Sequence, residues 1–220
     1  MLNRDYILRI VEQCGRELAI IMGLRKRNKY EEALIYIDNL FLQMTGLTSN
    51  FMNGLSEEML IKTFSPLGQL NAHACLWTAS LLKAEGEVYE DLGNANESYY
   101  RFHKALFLLL EVILHEPVDD DSELFQAVDD LQQKLADYEL PMPMREKLFA
   151  YYEHIGKYAT AEDLLFELLE MSPPDTHTFV LGRDFYARLR KKSETELVAG
   201  NFSHEEVEEG LAHLQGLQRH

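Results

Sequence analysis

Proline, cysteine and positive charge are all scarce in this 220-residue chain. Six prolines and few β-branched runs leave helix as the expected conformation almost throughout. The two cysteines, Cys14 and Cys75, sit inside apolar helical patterns and form no CxxC pair. They are read as reduced core residues of a cytoplasmic protein. Lys and Arg number 21 against 37 Asp and Glu, a formal charge of −16. No nucleic-acid partner is expected, because phosphate binding needs a basic surface. The longest apolar run, 105–114, contains Glu111 and is too short to cross a bilayer, so no membrane partner is expected. The start, MLNRDYILRIVEQ, carries charges where a signal peptide would have an apolar core.

The motifs of catalysis are missing too. There is no GxxxxGK[ST], no GxGxxG, no GxSxG and no HExxH. His204-Glu205-Glu206-Val207-Glu208 lacks the second histidine of a zinc motif, and no histidine follows a Glu three residues earlier. Glu111 and His115 lie one helical turn apart, a spacing that suits a local ion pair better than a shared metal. His73 and Cys75, two residues apart on a helix, point to different faces. The chain is therefore expected to be no enzyme and to carry no cofactor or metal.

What is there is helical periodicity. Hydrophobic residues make up 46% and charged residues 26%, as in an ordinary globular protein with a sizeable core. A first helix is expected over 2–27, its stripe running through Ile7, Val11, Cys14, Leu18 and Ile21. Arg25, Lys26, Arg27 and Lys29 complement its dipole. Asn28 with Glu31 reads as a capping box for a second helix through Ala33, Ile37, Leu40 and Phe41. Residues 46–54 read as a loop, and Ser56 opens a short helix that 65–68 ends. Long helices follow over 71–92 and, from an Asn94–Glu97 box, over 95–115. Asp119, Asp120 and Asp121 are read as charge at the N-terminus of a helix over 122–138, not as a cation site. Pro141 and Pro143 break the chain before two amphipathic runs over 145–173 that meet at Gly156. Asp175 reads as the cap of a helix carrying Phe179, Phe185 and Leu189. Ser203 with Glu206 caps the last helix, 205–217.

Setting Ala33, Ser98 and Ala161 side by side aligns three helix pairs without gaps, at intervals of 65 and 63 residues. Asn28, Gly93 and Gly156 then coincide at the turn. Leu24, Tyr89 and Tyr152 coincide before it. Ile37, Phe102 and Leu165 coincide after it, as do Leu40, Ala105 and Leu168. One further helix follows each pair, starting near Ser56, Asp121 and Asp175.

Gly86, Tyr89, Gly93, Phe102 and Ala105 in the middle pair, and Leu148, Tyr152, Gly156, Ala161 and Pro173 in the last, resemble the tetratricopeptide repeat. Ile21 and Phe149 depart from the small residue that Gly86 supplies. The whole chain, with FYARLRKKS and EEVEEGL near its end, is similar to a bacterial family of helical tetratricopeptide-like proteins of unknown function. The resemblance implies an all-α fold, a right-handed α–α superhelix or tetratricopeptide-like solenoid. It would form one domain of about three three-helix units, 2–67, 68–140 and 141–200, with a C-terminal helix over 203–218.

By the same resemblance, the first helix of each hairpin would line a groove, with Lys83, Glu87, Glu90, Asp91, Glu146, Ala150 and Glu153 facing it. Glu87 stands where a carboxylate clamp would need Asn, so that clamp is not expected. The expected function is a non-enzymatic protein–protein interaction scaffold or adaptor that accepts a basic or amphipathic peptide in an acidic groove. The alternative is a helical protein or enzyme binding a small molecule or metal between units, with His103, Glu111, His115 and His154 as candidates. Homo-oligomerisation through the first helix is compatible with either.

Overall fold

The computed structural model describes residues 4–118, 123–171 and 176–217, with the side chains of the first helix described from Cys14 onward. The protein is all-helical, with no strand among the described residues. The chain divides into two compact units, Met1–Glu139 and Leu140–His220.

Unit 1 begins with α1 (Arg4–Arg25) and α2 (Tyr30–Thr45). Two short helices follow, α3 (Ser49–Gly54) and α4 (Glu57–Phe64), then a 3-10 turn at Pro66–Gly68. The rest is α5 (Ala72–Asp91), α6 (Ala95–His115) and α7 (Glu123–Lys134). α5 and α6 form the most extensive pair; α1 and α2 pack on α5, and α7 on α6. Every residue of α6 from Arg101 to Ile113 is buried, which accounts for the apolar run at 105–114. A helix covered on all sides has no need of a polar stripe.

The α5–α6 approach depends on one glycine. A Cβ at Gly86 would lie 2.6 Å from Phe102 Cε1. The Phe102 ring occupies the volume that Gly86 vacates. At the aligned positions of the first pair the two sides are Ile21 and Ile37, both buried. Core volume is thus redistributed across the contact, the kind of exchange a packed interior tolerates.

The three aligned turns share one geometry. Asn28, Gly93 and Gly156 are all left-handed, with φ of 56°, 72° and 75°. Their N–H groups donate to Arg25 O, Glu90 O and Glu153 O at 2.8, 2.9 and 3.1 Å. The next N–H groups, of Lys29, Asn94 and Lys157, reach back to Leu24, Tyr89 and Tyr152 at 3.0, 2.8 and 2.9 Å. These paired bonds are a Schellman cap. Asn28 therefore closes α1 and does not cap α2: Lys29 holds the N-cap position, with no side-chain bond. Asn is the residue with a Cβ that best tolerates this backbone region. Asn94 caps α6 through Glu97 N at 3.3 Å, but the Glu97 carboxylate turns to Arg101 and leaves the box half made.

Between α2 and α5 the expected loop at 46–54 is a helix over most of its length. Thr48 caps α3 by accepting from Phe51 N at 3.2 Å. Charges from three other helices hold it: Asp38 accepts from Ser49 N at 2.8 Å, Glu85 accepts from Ser49 Oγ at 2.5 Å, and the Lys104 ammonium donates to Met52 O and Asn53 O. The first interval thus holds two short helices where one was expected. Ser56 caps α4 as anticipated, at 3.3 Å, and Asn71, at the expected start of α5, caps it at 3.1 Å. α7 ends at Lys134, short of 138. Asp119, Asp120, Asp121, Pro173 and Asp175 lie outside the described residues.

Unit 2 holds α8 (Met142–His154), α9 (Tyr158–Met171), α10 (Thr176–Leu189), α11 (Glu194–Ala199) and α12 (His204–Leu217). α8 and α10 pack on α9, and α12 on α10. Phe149, Ala161, Leu165, Phe185, Tyr186 and Leu197 lie in its core, the Phe149 and Phe185 rings meeting edge-on at 5.3 Å. The Ser193–Glu196 capping box starts α11, a helix not expected from the sequence. A fourth Schellman turn joins α11 to α12: Asn201, at φ 56°, donates to Val198 O and Phe202 N donates to Leu197 O.

Candidate functional site

Lys83, Glu87, Glu90 and Asp91 follow one another at three-and-four spacing or next to it, on one side of α5. The end of α1 brings Arg25 to them, and α7 brings Asp130 and Lys134. Arg25 Nη1 donates to Glu87 and its Nε to Asp91 at 2.8 Å. Lys83 lies 3.0 Å from both Glu87 Oε1 and Asp130 Oδ2. Lys134 donates to Glu90 at 2.7 Å. Burial works against the charge on Lys83 and Arg25, but the neighbouring carboxylates outweigh it and hold both groups above their ordinary pKa. Each α5 carboxylate expected to face a partner is therefore in an ion pair within unit 1.

Beside this charged edge, a groove runs between α1, α5 and α7. Its inner section encloses about 300 Å³ over Leu18, Met22, Leu76, Ala84, Leu124 and Ala127, with Arg25, Lys83, Glu87 and Glu123 at the rim. An outer, more open section of about 650 Å³ continues along Met22 and Ala127 to Gln126, Asp130 and Lys134. Cys14 also lines the inner section. Burial pushes its thiol up to about 11, so it is a protonated wall residue and no nucleophile.

In unit 2, Glu153 accepts two hydrogen bonds from Arg188, at 2.5 and 2.9 Å, the fork geometry of a strong pair. Glu146 lies 3.8 Å from His177 Nε2, and Ala150 is half-buried.

The alternative candidates do not gather into one centre. Glu111 and His115 form the local pair expected of them, at 3.0 Å, beside an open hollow lined by Gly68 and Gln69. His103 is buried, its Nδ1 3.4 Å from Glu57, and its pKa is lowered, by burial first. His154 is exposed. Burial pushes the Cys75 thiol up to about 12. Among the described residues no three such side chains are placed to hold a metal ion, and no helix is long and apolar enough to cross a membrane.

Two features escaped the sequence reading. The groove depends on α7 lying opposite α1, which no local spacing encodes. The second is a buried polar cluster in which Arg101 pairs with Glu85 at 3.3 Å and stacks on Tyr89 at 4.4 Å, while Glu85 takes the Ser49 hydroxyl. Its signal was present in Glu85, a charged residue on the stripe that Leu81, Leu82 and Val88 mark.

No curated protein and no solved structure matches the chain. One family model spans residues 1–219, and the chain belongs to that family, described as a family of unknown function (DUF6483).

Proposed function

We propose that this protein is a non-enzymatic protein–protein interaction scaffold of tetratricopeptide-like construction, and that the groove of unit 1 is where it takes its partner. The groove carries the reading: an apolar inner section opens into a charged outer one, the profile that an amphipathic peptide complements. The repeated Schellman turns and the buried small residues Ala33, Ser98 and Ala161 support the repeat construction. The absence of catalytic motifs from the sequence agrees with a binding role. Two buried, free cysteines fit a cytoplasmic setting. Because the α5 acids are already paired, apolar contact is the main term in this recognition.

Affinity capture with wild type and an Ala127→Trp variant tests it, since the indole would fill the groove. Polypeptides retained by wild type and depleted about tenfold on the variant are the expected result. Retention that ignores Ala127 overturns the reading. A second reading rests on the inner volume of about 300 Å³, at the lower end of small-ligand pockets, about 300–1,000 Å³. Native mass spectrometry showing a small molecule bound to wild type and lost from Ala127→Trp would favour that ligand-binding protein instead.

A further inference from the structure

The walls of the groove differ in how fully their charges are satisfied. Arg25 and Lys83 each contact two carboxylates, and Glu87 is shared between them. Lys134 is taken by Glu90. On α7 the balance is different. Glu123 is exposed at the rim and makes no hydrogen bond or ion pair among the described residues. Asp130 is paired with Lys83 through Oδ2 at 3.0 Å, and its half-exposed side chain leaves Oδ1 outside that contact. The spare acceptor capacity of the groove is anionic and sits on one helix.

The surrounding field has the same sign. Over residues 1–139 there are 12 Lys and Arg against 23 Asp and Glu, a net charge of −11; over 140–220 there are 9 against 14, a net charge of −5. Unit 1 thus carries most of the chain's negative charge. Such a field draws cationic segments in and holds anionic ones off.

Resting on the groove reading, we infer that the occupant is a basic amphipathic peptide segment. Its apolar side chains lie on Leu18, Met22, Leu76 and Leu124. A Lys or Arg on its flank meets Glu123 and Asp130 on α7. Glu87 contributes field and not contact, because both its oxygens are engaged, and Glu90 and Asp91 do not line the groove.

Selection of displayed random peptides on the full chain tests this. The expected winners combine apolar residues with Lys or Arg, weaken with added salt, and bind about tenfold less well to Glu123→Lys with Asp130→Lys. Met22→Asp, at an exposed position lining both sections, and Ala127→Trp should abolish them. Thermal melts confirm that each variant folds. Winners blocked by Met22→Asp and Ala127→Trp, yet without basic residues and indifferent to charge reversal on α7, overturn the basic partner and leave the groove standing. If no selected peptide depends on Met22 or Ala127, the groove reading itself is wrong.

Discussion

The α5–α6 and α8–α9 hairpins are closed by the same turn, with the same backbone bonds around Gly93 and Gly156. They differ in how much of the second helix is covered. In α9 burial is confined to Tyr158, Ala161, Leu165 and Leu168, a single stripe. In α6 it extends to every residue from Arg101 to Ile113. One hairpin pattern therefore serves as an outer layer in unit 2 and as the central layer of unit 1. The pattern sets the turn and the first stripe. The neighbours set how many faces are dry, and with that whether a charged side chain must find its partner indoors.

The largest expected effect breaks that contrast at its centre. Arg101→Ala leaves Glu85 buried with only the Ser49 hydroxyl, and should cost about 3–5 kcal/mol in urea unfolding. The aligned residue of the other hairpin, Leu164, is half-buried, so Leu164→Ala should cost only about 1–1.5 kcal/mol. Next in size, Gly86→Ala drives a methyl into the Phe102 ring and should cost about 1–3 kcal/mol, with Phe102→Leu as the rescuing second change. At the turns, Gly93→Ala and Gly156→Ala meet no close atom and should each lose about 1–2 kcal/mol from backbone strain alone. Unequal losses there would show that the two turns are not equivalent.

The smallest effects are those of pH, and the two units should respond in opposite senses. Burial lowers the His103 pKa below its ordinary 6.5, despite Glu57 nearby and with Lys104 adding to the shift. The stability linked to His103 is present above 6.5 and is lost as pH falls through the folded value. Burial raises the Glu162 pKa above its ordinary 4.5, against the hydrogen bond from Tyr186. The stability linked to Glu162 is present below 4.5 and is lost as pH rises through the folded value. Hydrogen exchange followed in α6 and in α9 across this range should show the two trends, and His103→Gln and Glu162→Gln should each flatten one of them.

Helices that rest on their own periodicity were legible from sequence. α5 starts next to Asn71 and α6 at the expected Asn94 cap, and Gly93 and Gly156 mark the turns. Asn28 was placed correctly but given the wrong role, because the capping-box spacing and the left-handed cap both favour Asn. α3 was missed because its composition is that of a loop; charges from α2, α5 and α6 hold it in place. α11 was legible in Ser193-Glu194-Thr195-Glu196 and overlooked. The α5 acids were singled out by the tetratricopeptide resemblance, but their partners were not. Arg25 is 62 residues from Glu87, and Lys134 is 44 from Glu90. Contacts that close three-dimensional loops of that length leave no periodic trace.

The clamp on α3 also sets an order of events during synthesis. Met52 and Asn53 are made 52 and 51 residues before Lys104, the side chain that holds their carbonyls. At about 5–20 residues per second, α3 waits roughly 3–10 s for that anchor to be polymerised. During that interval Met52, fully buried in the finished protein, has no completed core to enter. Nascent chains stalled before and after Lys104 should therefore differ sharply in protease cleavage at α3.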